Sequence, residues 1–186
     1  MNNNYLSLIT NRLILRPFTL SDVDLLCLLA GDRRISDMCL NIPYPYSPEN
    51  GVSWISEHKD AFIEKKAVIF AVCQKDNGDL LGAIGLELEK SDKRGEIGYW
   101  IGYPYQNKGY ATEAVLAMLQ YGFRTLSLNR ITATTIAWNN VSARILDKTG
   151  FQKEGVLRNH VFKKGKFTDI VMWGILQDEF MDNVIN

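Results

Sequence analysis

The chain has 186 residues, of which 46% are hydrophobic, 23% charged and 11% aromatic, with 21 basic and 21 acidic side chains. A chain of that length buries roughly 70% of its unfolded surface as one domain, so neither disulfides nor a metal is needed as a staple. A net charge of zero disfavours a nucleic-acid binder, which needs a basic excess against phosphate, although a local patch can hide in the total.

Cys27, Cys39 and Cys73 share no close spacing and each sits among apolar residues. Such cysteines read as small buried thiols in a reducing compartment. His58 and His160 lie far apart, so no metal site is expected. The stretch Met1 to Leu8 (MNNNYLSL) lacks both a basic start and an apolar run, so no signal peptide is expected. No run of about 18 apolar residues occurs, and a soluble cytoplasmic protein without membrane contact follows as the expectation.

In chain order, Arg12 to Arg16 (RLILR) reads as a short strand. Ser21 then offers a cap, with Asp22 and Asp24 in the first turn of a helix that runs through Leu25, Leu26, Leu28 and Leu29 to Gly31. Pro43, Pro45 and Pro48 keep the next loop from being helical. A second helix follows, with Ser47 as its cap and Trp54, Ile55, Ala61 and Phe62 on its apolar side.

From Ala67 the period changes to two. Ala67 to Gln74 and Leu80 to Glu89 form a hairpin about the turn Asp76-Asn77-Gly78-Asp79, and Gly95 to Gly102 is a third strand. Over Gly109 to Leu126, Ala111, Ala114, Val115, Met118, Leu119, Gly122, Phe123 and Leu126 fall on one helical stripe. Arg130 to Ile136 is a strand, Asn140 to Thr149 a short helix closed by Gly150, and Val156 to Leu176 a hairpin turning near Lys164-Gly165-Lys166. The predicted order β-α-α-β-β-β-α-β-α-β-β is an α+β fold, one domain over residues 1–186, with a single mixed sheet and helices on its faces.

The stretch that carries chemistry is GEIGYWIGYPYQNKGYATEAV, from Gly95 to Val115. A strand ends, a loop follows, and a helix opens at Gly109. The first turn of a helix has N–H groups without partners, and the helix dipole makes that end an anion site. In Gln106-x-x-Gly109-x-Ala111, Gly109 allows an unusual φ and close approach of a ligand, Ala111 adds no bulk, and Lys108 adds positive charge. A diphosphate fits that physics. A tight strand-to-helix turn with no ligand would also select a glycine and a small residue there. The pattern is neither GxGxxG nor GxxxxGK[ST], so hydride transfer and nucleotide hydrolysis lose their usual support.

This segment resembles the acetyl-CoA pyrophosphate loop of the GCN5-related N-acetyltransferases. The later stretches Ala137-Trp138-Asn139-Asn140-Val141-Ser142 and Leu146-Asp147-Lys148-Thr149-Gly150-Phe151 are similar to the family's N-x-x-S…L-E-K-x-G-F segment, with Asp147 in place of the usual glutamate. The opening RLILRPF, the proline-rich loop before Trp54-Ile55, and Asp169 look like the RimJ/RimL branch, which includes enzymes that acetylate the N-terminal amine of ribosomal proteins.

The resemblance implies a mixed, mostly antiparallel sheet with helices on both faces, in which the strands at Gly95–Gly102 and Arg130–Ile136 splay apart. The co-substrate is acetyl-CoA, with no metal. Its pantetheine arm would bind backbone around Trp100, Ile101 and Gly102. The amides of Gln106, Asn107, Lys108, Gly109, Tyr110, Ala111 and Thr112 would hold its pyrophosphate. Asn139 would bond cofactor amides and Lys148 a phosphate; a loop cap and an exposed helix lysine are the structural alternatives.

The reaction the resemblance implies is attack of a neutral amine on a thioester, which needs a base for the amine's proton. Glu96 is the candidate, and strand alternation puts it on the side of Gly98 and Trp100, opposite Ile97, Tyr99 and Ile101. A surface acid at a strand start is its ordinary alternative. The tyrosine that many relatives use to protonate the thiolate is replaced by Leu146, and Ser142 becomes the candidate in its place, with a small polar helix residue as its ordinary alternative. Glu87 and Glu89 line either an acceptor site or a solvated sheet face, and Tyr44, Tyr46 and Trp54 would either frame the acceptor mouth of such a fold or serve as ordinary packing. The acceptor is expected to be an amine, with a ribosomal protein N-terminus first and a polyamine or aminoglycoside second. A non-catalytic acyl-CoA-binding module is the reading from another class. Direct nucleic-acid binding is not expected, and a homo-oligomer is left open.

Overall fold

In the computed structural model, which describes residues 7–185, the period-two stretch from Ala67 becomes a strand buried on both faces. Val68, Phe70 and Val72 point one way, Ala71 and Cys73 the other, and each is at most 2% exposed. A sheet strand buried on both faces needs a layer of helices above and below.

Eight strands make one sheet: β1 (Leu8–Ile9), β2 (Leu13–Arg16), β3 (Ala67–Gln74), β4 (Leu80–Glu89), β5 (Arg94–Ile101), β6 (Arg130–Ile136), β7 (Gln152–Lys163) and β8 (Lys166–Leu176). Their order across the sheet is β1-β2-β3-β4-β5-β6-β8-β7. Every neighbouring pair is antiparallel except β5–β6. The helices are α1 (Val23–Ala30), α2 (Arg33–Ser36), α3 (Pro48–Ile63), α4 (Tyr110–Gln120), α5 (Asn140–Lys148) and α6 (Gln177–Ile185).

On one face α1 and α3 close over Ala71, Cys73, Leu80 and Ala83 with Leu26, Leu29 and Ile55. On the other, the stripe Ala114, Val115, Met118 and Leu119 of α4 covers Leu15, Phe70, Leu86 and Ile97. Each fully buried side chain of that size contributes roughly 1.5–3 kcal/mol. The expected α+β fold with helices on both faces is therefore the observed one.

Local signals act where expected. The Ser47 hydroxyl accepts from Asn50 N–H and the Asn50 side chain accepts in return from Ser47 N–H, with Pro48 in the first turn of α3. Gly78 takes φ 79° in the β3–β4 turn.

The structure adds three elements to the predicted order: β1, α2 and α6. The first two have only two and four residues, too few to show a period. The strand β7 begins at Gln152, four residues before the expected start. The helix α4 ends as an α-helix at Gln120 and continues as one π turn, Tyr121–Thr125. In that turn Gly122 lies against Ile131, whose Cδ1 would be 2.7 Å from an added Cβ, and Phe123 is 1% exposed. The wider turn thus keeps two consecutive residues inward.

The first helix also departs from its expected cap. Thr19 precedes a 3₁₀ turn, Leu20–Asp22, and Asp22 rather than Ser21 organises it. The Asp22 carboxylate accepts both Nη atoms of Arg16, at 2.7 and 2.8 Å, and the Thr19 N–H at 2.8 Å. Burial opposes its ionisation, but these donors hold the carboxyl below its usual range.

All three thiols are unpaired and raised by burial, Cys39 to about 11. Among the described residues no helix is long and apolar enough to cross a membrane. Most of the amino-terminal stretch inspected for a leader, residues 1–6, lies outside the described residues.

Candidate active site

The one parallel contact in the sheet is short. The strands β5 and β6 pair only at Arg94↔Arg130, Gly95↔Ile131 and Glu96↔Thr132, then part, leaving the last five residues of β5 unpaired on that side. A cavity of about 1200 Å³ opens there. The start of α4, the start of α5, and the edges of α1, α2 and α3 complete its walls.

At the wide end, the chain leaves β5 through a 3₁₀ turn at Tyr103–Tyr105 and reaches α4 through two left-handed residues, Asn107 (φ 61°) and Gly109 (φ 80°). Gly109 O accepts from Glu113 N–H at 3.1 Å, the first bond of the helix. Among the described residues no backbone acceptor takes the N–H groups of Asn107 through Thr112. They form a concave set of donors at a positive helix end, which suits a diphosphate. Gln106, Asn107, Gly109, Tyr110, Ala111 and Thr112 line the cavity. Lys108 does not; its ammonium lies 5.7 Å from the Tyr105 ring.

Along the narrow part, backbone direction separates the three residues expected to meet pantetheine. Gly102 N–H donates to Leu81 O on the β4 side at 2.8 Å. Antiparallel pairs alternate in which residues exchange bonds, so Trp100 N–H turns the same way and Tyr99 and Ile101 face the gap. The Gln106 carboxamide, which donates to Ile101 O at 2.9 Å, confirms that direction. Of the three residues expected to bind pantetheine, only Ile101 offers its N–H. Gly102 answers instead to packing: an added Cβ would lie 2.8 Å from Leu29. An added Cβ at Gly98 would meet nothing within 4 Å, so that residue leaves open space in the cavity.

Glu96, Gly98 and Trp100 share the α1/α3 side, as alternation requires, and Glu96 and Glu87 are opposed across β4–β5. Both line the cavity, with Glu57 of α3. Glu96 Oε1 accepts from the Thr134 hydroxyl of β6 at 2.9 Å, at the point where the strands part. Glu89 stays outside. Tyr46 and Trp54 line the same side, whereas Tyr44 points elsewhere, 57% exposed and stacked on Arg33.

On the opposite side, the Asn139 carboxamide is engaged at both ends. It accepts from Ser142 N–H as the cap of α5 and donates to Met38 O, which leaves the cap reading the better supported one. Ser142 Oγ lies 2.8 Å from the Tyr99 hydroxyl. Burial pushes the Tyr99 phenol up to about 12, against the pull of that bond, so it stays protonated. Leu146 is fully buried in the core, and Lys148 is exposed at the cavity rim. Among the described residues no cluster of three metal-ligating side chains occurs.

Glu57 and Tyr99 are cavity-lining residues that sequence reasoning missed. A signal existed for Tyr99: a phenol on the inward side of a strand needs a hydrogen-bond partner when buried.

Comparisons with known proteins agree with this geometry. The family model for the acetyltransferase (GNAT) domain matches residues 12–152. The N-acetyltransferase p20 of Bacillus licheniformis is 34% identical over 175 residues, 94% of this chain and 98% of its own. The [ribosomal protein uS5]-alanine N-acetyltransferase of Escherichia coli is 29% identical over 132 residues, 69% of this chain and 66% of its own. A GNAT-family acetyltransferase from Bacillus anthracis superposes with a TM-score of 0.83 at 26% identity, over 93% of this chain and 99% of that one. The ribosomal L7/L12 α-N-protein acetyltransferase RimL, solved with coenzyme A, has a TM-score of 0.86 at 18% identity, over 94% and 99% of the two chains. A splayed parallel pair, a free helix end beside it and these likenesses converge: the chain belongs to the GNAT acetyltransferase family and is an acetyl-CoA-dependent N-acetyltransferase.

Proposed function

We propose that the acceptor is the α-amine of a protein or peptide, and that the reaction takes place in the cytoplasm. The observation that carries this reading is the α1/α3 side of the cavity. It is open, walled by Tyr46, Trp54 and Trp100, and carries the carboxylates of Glu57, Glu87 and Glu96. An extended chain end fits between the aromatic walls, and the carboxylates attract its ammonium. The Escherichia coli relative and RimL, both named as acetyltransferases of ribosomal proteins, support the same class.

Acetyl-CoA would lie with its pyrophosphate on the amides of residues 107–112 and its pantetheine arm along the free edge of β5. Lys148 at the rim would meet a phosphate. The N–H groups of Tyr99 and Ile101 would polarise the acetyl carbonyl. The amine nitrogen attacks that carbon, and its proton passes to Glu96, directly or through a water. As the C–S bond breaks, the thiolate is held by the Ser142 hydroxyl. A protonated Tyr99 can donate to Ser142 Oγ, and in that arrangement the serine's own hydrogen is free to turn to sulfur.

Thiol release from acetyl-CoA, measured across N-terminal peptides, polyamines and aminoglycosides, tests the reading. Peptides should be turned over with the highest kcat/KM. Preference for polyamines would transfer the role of the three carboxylates to a polycation, and no turnover of any peptide would overturn the proposal.

A further inference from the structure

The loop that would hold the pyrophosphate is fastened from outside the cavity by a residue 96 positions away in sequence from its contact on Lys108. Arg12, in the β1–β2 turn, donates Nη1 to Lys108 O at 2.9 Å and Nε to Glu113 Oε2 at 2.7 Å. The other Glu113 oxygen accepts Arg12 N–H at 2.8 Å and the Thr10 hydroxyl at 2.7 Å. The guanidinium also covers the Tyr110 ring at 4.8 Å, and an added Cβ on Gly109 would lie 3.2 Å from its Nη2.

We infer that Arg12 is a positioning residue for acetyl-CoA, holding Lys108–Glu113 in the anion-binding form; this rests on the pyrophosphate-loop reading above. The argument turns on one carbonyl. Lys108 O stands four residues before Thr112, where it would accept Thr112 N–H if the helix were extended backward by a residue. Arg12 donates to that oxygen instead, and among the described residues Thr112 N–H has no backbone acceptor. Gly109 can then take φ 80° and the helix begins at Tyr110, with its first donors turned to the cavity. Glu113 fixes the guanidinium through a planar, charge-assisted contact and is itself held by three donors. Burial opposes its ionisation, but those donors keep its carboxyl below the usual range.

The test uses the full chain with two thioesters, acetyl-CoA and acetyl-pantetheine, which lacks the pyrophosphate. Arg12→Ala should raise KM for acetyl-CoA about tenfold, a loss the size of one charge-assisted hydrogen bond, with kcat at saturation within about twofold. KM for acetyl-pantetheine should not move. Arg12→Lys keeps the charge without the fork and should not restore acetyl-CoA affinity, and Glu113→Gln should show a smaller loss of the same kind. Should Arg12→Ala fail to fold, Arg12→Lys carries the same comparison. An unchanged KM for acetyl-CoA, an equal rise for both thioesters, or full rescue by lysine would each overturn the role. Ala111→Glu separates this from the loop reading: if that folded variant binds acetyl-CoA normally the pyrophosphate site itself is wrong, whereas a loss there with Arg12→Ala unaffected removes only the clamp.

Discussion

The two walls of the gap between β5 and β6 are made of different material. The wall that would meet the cofactor is backbone: amides of residues 107–112 and the free edge of β5. The wall that would meet the acceptor is side chains on four elements: Glu57 and Trp54 on α3, Tyr46 in the loop before it, Glu87 on β4 and Glu96 on β5. Backbone donors depend on chain geometry and tolerate changes of most side chains. A wall of side chains can be altered one residue at a time, which is how a fixed reaction acquires different acceptors. Substitutions on the acceptor wall should therefore change chemistry and specificity, and those at the pyrophosphate amides should change affinity only.

The sharpest contrast is expected at Glu96. Glu96→Gln keeps the Thr134 contact and removes the basicity, so kcat should fall by roughly 10²–10⁴ with little change in acetyl-CoA affinity. The loss should shrink at high pH, where free amine is abundant; an unchanged kcat at neutral pH would remove Glu96 from the mechanism.

Next in size is an effect of folding confined to the acceptor side. His58 of α3 is 4% exposed, in edge contact with Trp54 and Phe18, and neither ring nitrogen has a partner. Burial drives its pKa from 6.5 to about 4. Since the folded value is the lower one, the folded state gains from neutral His58 above pH 6.5 and loses that gain as pH falls towards 4. The total is about 3 kcal/mol. His58→Phe should flatten urea-unfolding stability across that window, and an unchanged slope would show that the ring reaches solvent.

On the cofactor wall, Ala111→Glu sets bulk and negative charge against the pyrophosphate donors. Calorimetry should show acetyl-CoA affinity falling at least tenfold, about 1.4 kcal/mol. The smallest effect is expected from the hydroxyl pair. Ser142→Ala and Tyr99→Phe should each lower kcat about two- to tenfold, the range of one neutral hydrogen bond. The drop should be smaller with a thioester whose leaving thiol has a lower pKa. Equal sensitivity to both thioesters would leave the pair a packing role alone.

What the sequence discloses divides along similar lines. The stripe of α4, the Ser47 cap, the Asn77-Gly78 turn and the helix-end loop at Gly109 are local, and each is legible because its physics is contained within a few neighbouring residues. The side of the sheet taken by Glu96 follows from alternation alone. The direction of the Trp100 and Gly102 amides does not, because it depends on register with β4. Tyr99 with Ser142, 43 residues apart, and Arg12 with Glu113, 101 apart, are joined by the fold alone. The short elements β1 and α2 carry too few residues to display a period, and the π turn after Gln120 preserves the apolar stripe that predicts an ordinary helix.

The brief pairing of β5 with β6 has a mechanical meaning as well. Five strands on one side and three on the other are joined within the sheet by only three register pairs. The sheet is welded at one end and unzipped at the other. A pantetheine arm lying on the free edge of β5 would act as a splint across the open seam, lending the backbone partners that β6 withdraws. Filling the seam would also raise the melting temperature, by the mass-action gain of any ligand that binds only the folded chain. With acetyl-CoA placed as proposed, each turnover would splint the seam and each departure of coenzyme A would leave β5 without those partners again.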